Sequence, residues 1–116
     1  KDIKLKLGRT IELAVMRGIK KENIILDPGI GFGKTPEQNI DVMKHLDEFG
    51  DLGHPLLIGT SRKSFIGHVL DVPIGDRLEG TAATVALAIR SGVDIVRVHD
   101  VKEMAKVSKM ADAIIR

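Results

Sequence analysis

The sequence predicts an alternating α/β protein with parallel strands, on three observations. Three short apolar runs, Ile24-Ile25-Leu26, Leu56-Leu57-Ile58 and Ile95-Val96 continued by Val98, are each bounded by turn or polar residues. Short continuous runs of branched residues suit strands buried on both faces, as in parallel sheets. The runs begin 32 and then 37 residues apart, with Val93 opening the third, which fits βα units of about 30 residues or more. Between the runs lie amphipathic stretches carrying helix-end signals. This alternation describes a parallel layer structure and leaves both a doubly wound sheet and a slice of a (β/α)8 barrel open.

The elements follow in order. Leu7, Ile11, Ala14, Val15 and Gly18 form a stripe at helical spacing ahead of the first run. After that run, Thr35 is placed to cap a helix, with Pro36 in its first turn and Gln38 as the reciprocal partner of a capping box. Ile40, Met43, Leu46 and Phe49 supply that helix's apolar face, and Gly50 is its expected end. Ser64 to Leu70 predicts a short helix after the second run. Asp76 and Glu79 have the spacing of another capping box, opening a helix with Leu78, Ala82, Val85, Ala86 and Ile89 inward and Gly92 as its stop. Met104, Val107, Ala111 and Ile114 line a last helix after the third run.

Composition bounds the function. The chain has 116 residues, the size of one domain, and 43% are hydrophobic against 29% charged, which excludes a disordered segment. With no cysteine, disulfide frameworks, thiolate zinc sites and thiol nucleophiles are excluded. The net charge of +2 is spread along the chain, and with three Phe, no Trp and no Tyr there is neither a basic stripe nor a stacking platform for nucleic acid. No apolar run approaches the roughly 18 residues of a membrane span, and Lys1-Asp2-Ile3-Lys4 is not the start of a secretory leader. A cytoplasmic location is expected. The chain does not begin with Met, which fits a removed initiator or a piece of something longer.

Polar residues and glycines gather after each run. Asp27-Pro28-Gly29-Ile30-Gly31-Phe32-Gly33-Lys34-Thr35 follows the first, and Gly59-Thr60-Ser61-Arg62-Lys63-Ser64 follows the second; the third carries Arg97, His99 and Asp100. Active sites of barrels and of open α/β sheets form at this end of the strands. The first segment imitates two nucleotide motifs and satisfies neither. The dinucleotide fingerprint would need glycine where Lys34 stands, and a phosphate-binding P-loop would need glycine at Pro28. Asp27, at the end of an apolar run, either caps the turn at Pro28 or accepts hydrogen bonds from ligand N–H groups. Ser61 to Ser64 is either a basic solvated turn or, at a helix start, an anion site. Arg97 and His99 alternate onto one side of their strand, and two such groups suit a phosphate or diphosphate better than either does alone. His45, His54 and His68 show no ligand spacing and are expected on the surface or in loops.

Together the segments Ile25 to Lys34, Gly59 to Gly67 and Ile95 to Val101, with Arg77-Leu78-x-Gly80-Thr81, resemble the dihydropteroate synthase family of folate biosynthesis. The resemblance implies a (β/α)8 barrel of about 250 residues, of which residues 1–116 would be a single partial domain holding the sixth to eighth strands after the fifth helix. It implies transfer of a dihydropterin-methyl group from its diphosphate ester to p-aminobenzoate. Asp27 would bind the pterin N–H groups, and Lys63 would contact the pterin and border the p-aminobenzoate pocket. Phe32 and Ser64 would shape that pocket, Arg97 would pack over the pterin, and Arg97 and His99 would hold the diphosphate. Lys63, Arg97 and His99 would be the catalytic groups, with Ser61 among the substrate-binding residues. Mg²⁺ is implied by the family, with its ligands expected outside this chain, and the partner is expected to be a second copy or the remaining half of the barrel. The alternatives are a pterin-binding methyltransferase domain, which needs neither the Ser61 to Ser64 cluster nor the Arg97 and His99 pair, and a non-catalytic dimerising segment.

Overall fold

The computed structural model describes residues 2–116. Helix α1 (Asp2–Met16) leads to α2 (Pro36–Lys44), then β1 (Leu57–Ile58), α3 (Ser64–Leu70), α4 (Leu78–Arg90), β2 (Ile95–Val96) and α5 (Val101–Ile115). β1 and β2 are parallel, with Leu57 opposite Ile95 and Ile58 opposite Val96. The first apolar run joins them through one parallel bridge, Leu26 to Leu56, in which the Leu57 amide donates to the Leu26 carbonyl at 2.7 Å. The three runs are therefore adjacent and parallel in chain order, as expected. They are shorter than expected, with β1 and β2 two residues each and the first run joined by a single bridge.

The expectation of strands buried on both faces is corrected. Leu26, Leu56 and Ile58 are buried in the core beneath the helices, as is Val93 ahead of β2, whereas Ile25 is 54% exposed and Ile95 38% exposed. Alternation along a strand sends neighbours to opposite faces, and helices cover only one. The covered core joins these residues to Ile30, Leu46, Phe49, Phe65, Ile66 and Ala88, with Ile3, Leu7 and Ile11 of α1 packed against it. A second cluster, Val85, Ile89 and Met104, fastens α4 to α5.

Thr35 caps α2 as the sequence predicts. Its hydroxyl accepts from the Gln38 amide at 3.2 Å, and the Gln38 side chain accepts from the Thr35 amide at 2.8 Å. The helix ends at Lys44, however, and a 3-10 stretch, Leu46–Leu52, carries Leu46 and Phe49 into the core; Gly53, at φ 76°, ends it in place of Gly50. The tighter winding lets two core residues three apart share one side. The expected Asp76–Glu79 capping box does not form. Asp76 closes a 3-10 turn and Arg77 takes the cap position without a side-chain bond. Val15, Leu78 and Ile114, expected inward, are exposed, each on a helix whose neighbour covers only part of its apolar stripe. Among the described residues, no helix is long and apolar enough to cross a membrane.

Candidate functional site

The segment after the first run is held by its own polar groups. The Asp27 carboxylate accepts from the Gly29 amide at 2.8 Å, the Lys34 ammonium donates to the Gly29 carbonyl at 2.7 Å, and the Gly31 amide donates to the buried Asn39 side chain at 2.9 Å. Gly29, Gly31 and Gly33 all have positive φ, which the tight path requires. Asp27 thus performs the turn-capping role and keeps its second oxygen 3.9 Å from the Arg97 guanidinium.

Two glycines make room for two cations. The Lys63 stem lies against Gly31, where an added Cβ would come within 2.6 Å of it, and the Arg97 guanidinium lies against Gly59, where a Cβ would come within 2.7 Å. Lys63 Nζ donates to the Ile30 carbonyl and sits 4.5 Å from the centroid of the Phe32 ring, a cation–π contact. Burial lowers the Lys63 pKa from its ordinary value, and the Arg97 charge lowers it further; Asp27 opposes both, and Lys34 adds a smaller downward push.

Ser61 and Arg62 reach across to the third segment as two consecutive pairs. The Ser61 hydroxyl accepts from the His99 amide at 3.0 Å and lies 2.8 Å from His99 Nδ1. Arg62 donates twice to Asp100, from Nη2 at 2.7 Å and from Nε at 3.2 Å. That bond raises the Arg62 pKa and holds Asp100 below the usual carboxylate range, with desolvation opposing both shifts. Arg62 adopts φ 56°, and α4 fixes its backbone on both sides: its amide donates to Thr81 Oγ1 at 3.1 Å, and its carbonyl accepts from Arg77 at 2.9 Å. The Arg77 guanidinium reaches there across Gly67, where a Cβ would clash.

All the sequence-derived site residues therefore belong to segments that open on the same end of the strands. Asp27, Phe32, Lys63 and Arg97 form one connected group; His99 joins through Ser61; Ser64 begins α3 one residue beyond Lys63. Ser61 is buried and its hydroxyl is engaged with His99. Asn39, Arg77 and Thr81 brace these segments and were not among the expected site residues, although the Arg77 to Thr81 segment was part of the resemblance; Asp100 was read only as part of the polar cluster after the third run. A cavity of about 910 Å³ between α1 and α2 shares Phe32, Gly33 and Lys34 with the first segment, but Asp27, Lys63, Arg97 and His99 do not line it. Those four stand on the uncovered face. Among the described residues, no three His, Cys, Asp or Glu side chains gather to hold a metal ion. The donor set does not fit Mg²⁺ bound by these residues, so no step is assigned to a metal here.

The chain is similar to known proteins over most of its length. Residues 1–99 match the family model described as pterin binding enzyme. A dihydropteroate synthase from Bacillus subtilis is 55% identical over 109 residues, covering 94% of this chain and 38% of that protein. One from Clostridium beijerinckii is 52% identical, covering 99% of this chain and 43% of that protein. Among solved structures, a dihydropteroate synthase from Clostridium difficile, crystallised in the presence of pteroic acid, superposes with a TM-score of 0.95 at 58% identity, covering 99% of this chain and 44% of that one. A Yersinia pestis dihydropteroate synthase in complex with a sulfonamide drug gives a TM-score of 0.94 at 41% identity, covering 97% of this chain and 41% of that one. The chain spans about two-fifths of the length of the relatives it matches. It belongs to the pterin-binding enzyme family and corresponds to part of a dihydropteroate synthase.

Proposed function

We propose that this chain supplies the pterin and diphosphate side of a dihydropteroate synthase site. The observation that carries the reading is the meeting of Asp27, Lys63 and Arg97 on one open face at the carboxyl ends of three adjacent parallel strands. In this reading the strands at Leu26, β1 and β2 are the sixth, seventh and eighth of a barrel, residues 1–116 are part of one domain, and α1 is the helix before the sixth strand. Their parallel order along the chain supports it.

The chemistry follows from the charges. The free oxygen of Asp27 accepts N–H bonds from the pterin ring. Arg97 packs over that ring and, with His99, holds the diphosphate. The C–O bond between the pterin methylene and the diphosphate breaks, its electron pair leaves with the diphosphate, and the amine nitrogen of p-aminobenzoate bonds to the methylene carbon and releases a proton to water. Fixed cations at the departing group stabilise the charge that develops there, which is usually the largest catalytic contribution. Lys63, spanning Ile30 and Phe32, borders both substrates, and Phe32 and Ser64 line the p-aminobenzoate side. Where the family uses Mg²⁺, residues outside this set would hold it, and it would supply further counter-charge to the diphosphate.

The same face supports a second statement. Ile25 and Ile95 are apolar and open to solvent, so the chain pairs with the remainder of a barrel or with a second copy, and alone it does not turn over. Holding two substrates and a leaving group in one geometry is what such catalysis needs, and misplacement by about 1 Å can cost about 100-fold. Calorimetry with the pterin diphosphate and an assay of diphosphate release test both points. Pterin binding by the chain, with release only after the remaining barrel segment is added, is the expected result. Turnover by the chain alone, abolished by Lys63→Ala, would show that the essential groups have been misassigned. A methyltransferase role is disfavoured because it leaves the Arg97 and His99 pair without a use.

A further inference from the structure

We propose that Ser61 is a positioning residue that sets the tautomer of His99. Its hydroxyl donates to Nδ1, so the neutral ring carries its proton on Nε2 and offers it outward as a hydrogen-bond donor beside Arg97.

The argument is an account of donors and acceptors. Ser61 is 5% exposed, and its Oγ has two partners among the described residues, the His99 amide at 3.0 Å and His99 Nδ1 at 2.8 Å. A backbone N–H can only donate, so Oγ accepts from the amide. The hydroxyl proton then needs an acceptor, and Nδ1 is the one within reach. The opposite tautomer, with the proton on Nδ1, would leave two donors aimed at one oxygen and the buried hydroxyl proton without a partner, which costs the desolvation of that group. The neutral ring therefore protonates at Nε2.

Both members of the pair are held in place by the next residue of each segment. Arg62 and Asp100 form a bidentate ion pair one step further along, making two rungs between the same two segments. Arg62, next to Ser61, is also fixed by Thr81 of α4 and by Arg77 at its cap, both bonded to the Arg62 backbone. Ser61 thus acts on the ligand through His99. This differs from the direct contact with substrate that the resemblance implies for it. The consequence for the ligand rests on the proposed diphosphate role of His99; the tautomer itself does not.

Long-range ¹H–¹⁵N correlation on the histidine-labelled 116-residue chain, recorded with the rings neutral, reads the tautomer without any ligand. The expected spectrum shows His99 as a single Nε2–H species whose Nδ1 resonance has the upfield displacement of a hydrogen-bonded lone pair. A proton on Nδ1, or an Nδ1 resonance at the free-imidazole position, would overturn the proposal whatever the variants do. In Ser61→Ala the Nδ1 resonance should move to the free position, and inorganic diphosphate, measured by calorimetry, should bind about fivefold more weakly, as for one lost hydrogen bond. Ser61→Thr, which keeps the hydroxyl, should restore both. An alanine variant with unchanged Nδ1 resonance and unchanged affinity would likewise overturn it. If the tautomer is as expected and the unaltered chain does not bind diphosphate at all, the proposed function fails and the Ser61–His99 assignment stands.

Discussion

The two faces of the short parallel ladder share a backbone and differ in everything else. Toward the helices, Leu26, Leu56 and Ile58 are buried among side chains from α2, α3 and the 3-10 stretch. Toward the other side, alternate residues of the same runs, Ile25 and Ile95, are open, and the polar groups Asp27, Arg97 and His99 continue that face beyond the strands. One face carries the buried core of the fold, and the other carries the proposed chemistry. A change that passes on one face should fail on the other.

The largest separation is expected in stability. Ile58→Ala, at a site fully closed to solvent, should destabilise the chain by about 2–5 kcal/mol, the range for emptying a packed core position. Ile25→Ala should cost below about 1 kcal/mol, as exposed sites do. Urea unfolding of both variants checks the contrast. An equal loss at Ile25 would mean that the open face is covered in solution.

Binding should separate the faces the other way. Arg97→Ala removes a charge whose ion-pair partner among the described residues, Asp27, is 3.9 Å away and partly solvated. Stability should change little, because exposed ion pairs contribute little, while inorganic diphosphate should bind about fivefold more weakly or worse. Calorimetry beside a thermal melt reads both quantities, and unchanged affinity would remove Arg97 from the anion site. Gly59→Ala gives a subtler version. The new methyl group meets the far end of the Arg97 side chain, which can swing aside, so the fold should survive and diphosphate affinity should fall part of the way toward that of Arg97→Ala.

The smallest effect concerns pH. The Lys63 pKa is lowered in the folded chain, first by burial and then by Arg97. Between the lowered value and the ordinary lysine value, the unfolded chain binds more protons than the folded one, so stability rises with pH across that window. Below the window the penalty of holding the charge is fully present; above it the penalty is gone. Lys63 is half-buried and Asp27 opposes the shift, so the rise should be slight. It should be absent in Lys63→Met, which melting temperatures across the alkaline range would reveal.

What was legible in the sequence is what depends on neighbours in the chain. Thr35 and Gln38 cap α2 because both partners lie three residues apart, and Gly29, Gly31 and Gly33 turn where their spacing said the chain must turn. Asp27, Lys63 and Arg97 could be read because each follows an apolar run. What was not legible depends on partners far along the chain. Asp76 has the right spacing from Glu79, yet the residue that takes the cap position is Arg77, whose guanidinium is drawn to the Arg62 carbonyl 15 residues away. Ser61 and His99 are separated by 38 residues, so nothing local announces that the serine faces the histidine. The one-sided burial of the strands was missed for a related reason: an apolar run states that a residue prefers cover, and Ile25 and Ile95 have none here.

The Asp27 to Asn39 loop also bears on the order in which the molecule assembles. Its fastening bonds join residues 2, 3, 5 and 8 apart, and closing a loop of about ten residues takes about 10–100 ns. The rungs Ser61–His99 and Arg62–Asp100 instead wait for α3 and α4 to be laid down between their partners, and contacts so distant along the chain form slowly. The proposed pterin side can therefore take shape while the chain is still emerging from the ribosome. The anion side depends on the later segment, and with that segment comes the Arg97 charge that helps lower the Lys63 pKa.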